Sequence, residues 1–414
     1  MERHLSAHHA SAMTATVDST ERQQEHDAEA PSWVRVGSSS ERDTLQALDQ
    51  ALRNLNCDHP PRLLILLAAP HHDLGAAAAA ITQQWPESPL MGCSTAGEIA
   101  PGGATLDALV VWALGGSGIR VSTGVGESGT QGLRQAAIEA AQCLERVERQ
   151  EHTVLVLLSD GLAGDQMEVV RGAYDVANID GPLVGGCAGD NLAMHQTRQL
   201  HGQQVFSGAV VAAAISSERP LGVGVSHGWT PLSEPMLVTE SRGTLLSKLD
   251  DQPALDVYLD FFNPSEAVRR DPQAFADFAA THPIGIRRRD RIEMRHITSF
   301  DAERRALVMV AEVPQGGLAF LTEGDYDSVL QAAAESASSA IEALGEVPPV
   351  GLLLFDCVSR RSVFGEQQLQ EETDLINRCC GGIPMAGFYT YGEIARTKGS
   401  GGFHNQTLVT LAVG

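Results

Sequence analysis

The stretch Pro89-Leu-Met-Gly92-Cys-Ser-Thr-Ala-Gly97-Glu98-Ile99-Ala100 returns without a gap as Pro384-Met-Ala-Gly387-Phe-Tyr-Thr-Tyr-Gly392-Glu393-Ile394-Ala395. Both read P-x-x-G-x-x-T-x-G-E-I-A. A shortened copy, Pro182-Leu-Val-Gly185-Gly-Cys-Ala-Gly189-Asp190, is one residue tighter and carries Asp in place of Glu. Upstream of each copy lies a continuous apolar run, Leu63–Ala69, Val154–Leu158 or Leu352–Phe355, as expected of strands buried on both faces. Between run and motif, helical character appears around Ala76–Gln84, Gln166–Ala177 and Glu366–Cys380. Each copy then leads into another strand-like run: Leu109–Leu114, Val205–Ile215 and Thr407–Val413. The unit is strand, helix, P-x-x-G strand, G-[ED] turn, strand.

This alternation predicts an α/β fold: two domains of related strand-helix-strand-strand units, with mixed β-sheets flanked by helices. The repeated units are expected to face each other, since their period is too long and irregular for a solenoid. At 414 residues, two domains are also the natural division. Residues 1–31, polar and carrying His4, His8, His9 and His26, read as a disordered leader. A first domain spans 32–252 and a second 253–414. Gly222–Trp229 and Met236–Thr239 read as strands before the division. Pro253-Ala-Leu-Asp-Val-Tyr258-Leu-Asp-Phe-Phe262 has helical spacing with proline at the first turn, and Ala274–Ala280 extends the helical region. The basic cluster Arg287-Arg-Arg-Asp-Arg291 reads as a charged strand edge or turn.

Composition excludes several function classes. Lys+Arg 29 against Asp+Glu 52 gives a net charge of −23, which repels phosphate backbones and anionic lipid; neither nucleic acid nor a membrane is an expected partner. The apolar runs are far shorter than the roughly 20 residues of a membrane-spanning helix, and the N-terminus lacks an apolar signal core. Seven scattered cysteines with no C-x-x-C pair suggest neither a disulfide framework nor a zinc site; reduced thiols in a cytoplasm fit best.

The G-[ED] turns are the leading candidate site. Glycine lets a ligand approach the backbone, and the carboxylate that follows accepts hydrogen bonds from an amine or amide. On this reading Gly97, Glu98, Asp190, Asn191 and Glu393 take polar contacts, while Thr95, Tyr389, Thr390 and Tyr391 line the cavity. The alternative is a tight turn whose carboxylate caps a neighbouring backbone N–H. Gly92-Cys93-Ser94-Thr-Ala96 resembles a nucleophile elbow and makes Cys93 or Ser94 a candidate hydrolase nucleophile, although an elbow runs from strand to helix and this motif runs from strand to strand. Gly124-Val-Gly126-Glu-Ser-Gly129 matches G-x-G-x-x-G, but its acidic follower, Asp160, comes late and no basic group attends it. A glycine turn with Ser128 capping the next helix, Gln131–Arg149, is the plainer account.

Several motifs in order carry a family resemblance. Leu64–Pro70, Gly92–Ile99, Leu157-Leu-Ser-Asp-Gly161, Gly185–Asp190 and Gly224-Val-Ser-His-Gly-Trp229-Thr-Pro231 with Val238-Thr-Glu240 resemble the N-terminal FIST domain. Pro253–Tyr258, His282-Pro-Ile-Gly285, Val313-Pro-Gln-Gly316, Phe355–Arg360 and Gly387–Ile394 resemble the C-terminal FIST domain. The resemblance spans about Trp33 to Gly414. It implies a sensory protein of signal transduction, rather than an enzyme, that binds a small ligand such as an amino acid. Some members are similar to haem-containing nitric-oxide sensors that regulate histidine kinases or cyclic-di-GMP enzymes. If haem is the cofactor, one axial imidazole suffices, and His195, His201 and His227 are the candidates. No kinase, cyclase or F-box segment accompanies the motifs, so signalling is expected through a separate partner.

Overall fold

The computed structural model describes residues 31–57, 59–177, 181–288, 291–365, 368–396 and 402–414. The expected leader lies almost wholly outside them. The fold is α/β, with mixed sheets flanked by helices and two domains: a three-sheet body and an inserted nine-stranded sheet.

The three repeated units each build one six-stranded sheet. The first has the strand order Trp33–Ser39, Leu109–Gly115, Leu63–Ala68, Leu90–Ser94, Gln199–His201, Gln204–Phe206. The second runs Ile119–Glu127, Ala209–Ser217, His152–Asp160, Leu183–Ala188, Glu393–Arg396, Phe403–His404. The third runs Leu221–Ser226, Leu408–Val413, Gly351–Cys357, Met385–Thr390, Glu98–Ala100, Gly103–Thr105. In each the third and fourth strands are parallel and every other pairing is antiparallel.

The last two strands of every sheet belong to another unit. The hairpin after the first P-x-x-G strand completes the third sheet; that of the third completes the second; that of the second completes the first. The exchange is cyclic, so no sheet is complete within its own unit.

Alternation along the apolar runs explains why they are continuous. Leu63, Ile65 and Leu67 point to a shared core with Val154, Val156 and Leu158 and with Leu353 and Phe355. Leu64 and Leu66 point outward to Ala47, Ala51 and Ala77 of their own helices; Leu155 and Leu157 face Ala136, Ala140 and Val170; Leu352 and Leu354 face Ala333, Ala337 and Ile376. Trp112 is buried in the shared core, and its indole N–H donates to the Leu352 carbonyl at 3.1 Å, tying the first sheet to the third.

The helix after each unit's opening strand packs against glycine. A Cβ on Gly37 would lie 1.9 Å from the Ala51 carbonyl oxygen, one on Gly126 2.1 Å from that of Ala136, and one on Gly224 1.8 Å from that of Ser336. Strand and helix backbones therefore touch. This corrects the reading of G-x-G-x-x-G: Gly124 and Gly126 lie inside the strand Ile119–Glu127 to seat the helix Gly132–Ala141, and Ser128 makes no cap, its backbone carbonyl accepting from Gly132 N–H. The expected single helix to Arg149 breaks after Ala141 and resumes as Cys143–Arg146.

Between Leu221–Ser226 and the helix Tyr326–Glu342 the third unit takes in the nine-stranded sheet, covered by helices Ala254–Phe262, Glu266–Arg270 and Pro272–Ala280 around Tyr258, Phe275 and Ile284. Residue 253, where the sequence places the second domain's start, lies in this sheet: Pro253 pairs with Lys248. Of the arginine cluster, Arg287 and Arg288 end the strand Ile284–Arg288 and Arg291 opens the strand Arg291–Arg295, an antiparallel pair at the sheet's edge; residues 289 and 290 lie outside the described residues.

Candidate functional site

The three G-[ED] turns meet and close a ring of backbone hydrogen bonds. Ala96 N–H donates to the Tyr389 carbonyl (3.0 Å) and Tyr389 N–H to that of Gly97 (2.8 Å). Gly189 N–H donates to Ser94 (3.0 Å) and Asn191 N–H to Thr95 (3.1 Å). Cys187 N–H donates to Gly392 (2.8 Å) and Tyr391 N–H to Cys187 (3.1 Å). The turns thus form the seam at which the units exchange hairpins. Gly97 and Gly392 take φ of 118° and 144°, where side-chained residues are strained.

Two of the carboxylates hold this seam. Glu98 is buried and accepts from the Thr95 hydroxyl, the Thr105 hydroxyl (3.2 Å) and Ala108 N–H (2.8 Å). Burial lifts its pKa to about 7 against the pull of those bonds. Asp190 is also lifted by burial, but the Tyr391 hydroxyl and the N–H groups of His195, Gln196 and Met194 outweigh that and leave its pKa below the ordinary value. It thereby organises a loop in which Asn191, Leu192 and Met194 all have positive φ and Leu192 and Met194 are exposed.

The third carboxylate belongs to a different environment. Glu393 accepts from the Thr390 hydroxyl at 2.5 Å, repeating the Thr95–Glu98 pair, but its second oxygen faces the Cys357 thiol and Thr407 N–H without an aligned hydrogen bond. Burial raises its pKa to about 8. Beside it, where the strand Gly351–Cys357 gives way to the helix Val358–Phe364, stands the fully buried Arg360. Its guanidinium lies 2.7 Å from Asp356 and 2.5 Å from Glu372. The Asp356 contact is close but not aligned as a hydrogen bond; Asp356 and Glu372 lie within hydrogen-bonding reach of each other, so that a proton on one is shared with the other, and the Tyr389 hydroxyl is buried with no hydrogen-bond partner. Burial drives Asp356 well above the usual carboxylate range, and the neighbouring Glu372 charge adds to it.

Asp356 and Glu372 thus share one fully buried guanidinium, and Glu393 stands close enough to feel its charge, in a region where buried polar groups are normally satisfied. Next on the same helix, Arg361 donates to the Ala96 carbonyl and to Asn191 Oδ1 (3.2 Å), and its guanidinium lies 5.8 Å from the Tyr389 ring centre. One helix therefore touches the turns of all three units.

Of the residues read from sequence, Tyr389, Thr390 and Glu393 border this cluster, and Asn191 is joined to it through Arg361. Thr95, Gly97, Glu98, Asp190 and Tyr391 sit in the seam. Asp356, Arg360 and Glu372 were missed. The signal was present: Asp356 ends an otherwise apolar strand, and Glu372 occupies the buried stripe Leu369, Glu372, Thr373, Ile376 of its helix.

Comparison with known proteins gives two matches, the FIST N domain over residues 62–252 and the FIST C domain over residues 254–396. The chain belongs to the FIST family. FIST domains are associated with sensory signal transduction and small-ligand binding. Similar proteins include an uncharacterized protein of Mycobacterium bovis, 25% identical over 383 residues, covering 88% of this chain and 93% of the relative. An uncharacterized protein of Mycobacterium tuberculosis is 26% identical over 274 residues (63% and 68%), and one of Methanocaldococcus jannaschii 23% identical over 170 residues (38% and 32%).

In this FIST protein the elbow-like Ser94 passes from strand to strand. Its hydroxyl donates to the Gly189 carbonyl (2.7 Å) and accepts from Arg198 N–H (2.9 Å), while the neighbouring Cys93 is buried and its thiol pKa pushed well up by desolvation. The three candidate haem histidines do not converge. His195 is exposed, His201 Nε2 contacts the Thr123 hydroxyl (3.0 Å), and His227 Nδ1 accepts from Trp229 N–H (3.0 Å), with burial holding its pKa near 4. None of them lines either described cleft: one of about 300 Å³ beside Arg396, the other of about 660 Å³ beside His71 and Arg198. No described helix is long and apolar enough to cross a membrane.

Proposed function

We propose that this protein is a sensor for a small amine-bearing metabolite of the amino-acid type, recognised at the Arg360 cluster. The observation behind this reading is the charge count: Asp356 and Glu372 pair with a single fully buried guanidinium and the buried Glu393 stands near it, so negative groups outnumber that cation, and the Tyr389 hydroxyl is left without a hydrogen-bond partner. Buried carboxylates this close cannot all ionise unless a cation joins them. A ligand ammonium supplies that cation, and the Tyr389 hydroxyl can donate to a ligand oxygen. Entry requires the helix Val358–Phe364 to move. Because Arg361 on that helix bonds both Ala96 and Asn191, occupancy biases the seam and the exposed loop after Asp190, through which a separate partner would read the state. Free, mostly buried cysteines accord with a cytoplasmic setting.

Binding of an ammonium should release a proton from Glu393, whose pKa stands at about 8, so affinity should rise as pH increases through that value until the ligand amine itself deprotonates. Calorimetry with the common amino acids and small amines, in two buffers of unlike ionisation heat, reads both affinity and proton release. Glu393→Gln should remove the part of the release that titrates near pH 8, and Tyr389→Phe should weaken binding about tenfold, the size of one lost hydrogen bond of roughly 1.4 kcal/mol. Failure of every amine to bind, or binding unaltered in both folded variants, rules the reading out.

A further inference from the structure

Against a net charge of −23, one cleft of about 300 Å³ is lined by four arginines, Arg134, Arg171, Arg288 and Arg396, with Asp175 as the lining carboxylate. They arrive from four elements. Arg134 comes from the helix Gly132–Ala141, Arg171 from the helix Met167–Ala177, Arg288 from the edge hairpin of the inserted sheet, and Arg396 from the end of the strand the third unit lends to the second sheet. Arg396 is almost wholly buried and lies 3.6 Å over the ring of Tyr174, which fixes its guanidinium. The others are restrained by carboxylates: Arg134 by Asp175 (2.8 Å), Arg171 by Glu168 (2.5 Å) and Glu312 (2.9 Å), and Arg288 by Glu293 (3.4 Å). Glu168, Glu312 and Glu293 hold their arginines from outside the lining, so among the described residues the cleft is faced by guanidinium groups, each with five N–H donors of which a carboxylate pair engages only one or two.

We infer that this cleft is a second binding site, specific for a phosphate group, free or as the monoester of a small molecule. Guanidinium forks from four directions suit a tetrahedral oxyanion with several acceptor oxygens; a planar carboxylate is satisfied by one fork. The volume is at the lower end of the roughly 300–1,000 Å³ typical of small-molecule sites, which favours a compact ligand. Burial pulls the pKa of Arg396 below its ordinary value, a cost that a bound anion would offset. The site stands apart from the Arg360 cluster and does not depend on the reading given to it.

The test titrates the full chain with inorganic phosphate, then with a small sugar phosphate, at constant ionic strength made up with chloride, and follows binding by calorimetry and phosphorus NMR line width. Saturable binding should appear, and the double variant Arg134→Gln with Arg288→Gln, both partly exposed positions, should weaken it at least tenfold. Arg396→Gln should do the same, its fold being checked by circular dichroism. Tighter binding of the sugar phosphate than of phosphate assigns the monoester, and the reverse assigns the free ion. Absence of saturation, equal binding in the double variant, or binding of malonate without phosphate overturns the inference.

Discussion

Glu98 shows how a site-like residue can be structural. Its carboxylate joins Thr95, Thr105 and Ala108 within the seam, and its charge is disfavoured by burial. Because its folded pKa of about 7 exceeds the unfolded value, the native state holds the proton more tightly, so stability contributed here is full below about pH 4.5 and lost as pH rises toward 7. Glu98→Gln keeps an oxygen for Ala108 N–H and cannot ionise. In urea titrations at pH 5 and pH 8, the wild type should lose about 2–3 kcal/mol more than the variant between the two conditions. Equal losses would mean that Glu98 ionises in the folded protein at no cost. Sequence spacing alone could not separate this residue from Glu393, since both follow Thr-x-Gly; the difference comes from Asp356 and Arg360, which only the third unit places alongside.

At the scale of elements, the apolar runs and the P-x-x-G strands were legible because burial on both faces leaves an unbroken hydrophobic signal. The helix Tyr326–Glu342 was not. Its buried face is Val329, Ala332, Ala333, Ser336, Ala337 and Ala340, small residues with little amphipathic contrast. The reason is the close seat on Gly222 and Gly224, which admits nothing larger. The opening strand Trp33–Ser39 and its helix Thr44–Leu55, packed over Gly37, also escaped, although this helix carries a clear apolar stripe of Ala47, Leu48, Ala51 and Leu55: it precedes the first copy of the repeated motif, from which the units were read. Gly224→Ala should therefore drive the helix off its strand and destabilise the protein by about 1–3 kcal/mol, as overpacking does. Gly102→Ala, with nothing within 4 Å, should stay within about 0.5 kcal/mol of wild type. Denaturant midpoints of the two variants check this directly, and similar values would show that the strand–helix contact yields easily.

For the whole molecule, the triplicate motif disclosed the units but not their exchange of hairpins, since pairing between strands as far apart as Gln199 and Cys93, or Phe388 and Glu98, leaves no local trace in composition or period. The exchange makes the three sheets one cooperative body. A fragment of residues 32–252 should lack a cooperative urea transition, because its hairpin Glu98–Thr105 has lost Met385–Thr390 and its strand Leu183–Ala188 has lost Glu393–Arg396. Adding residues 253–414 in trans should restore one. Amide protection of residues 98–105 in the isolated fragment, measured by hydrogen exchange, would show that the unit stands by itself.

The exchange also sets a timetable for synthesis. Glu98–Thr105 is made roughly 300 residues before Met385–Thr390, and at about 5–20 residues per second the wait is about 15–60 s. Throughout that interval the early hairpin, and from the completion of Ala209–Ser217 the open edge of the second sheet, stand unpaired beside the same segments on neighbouring ribosomes. The yield of native protein is therefore decided during translation, by how crowded the nascent chains are and how quickly the last thirty residues arrive.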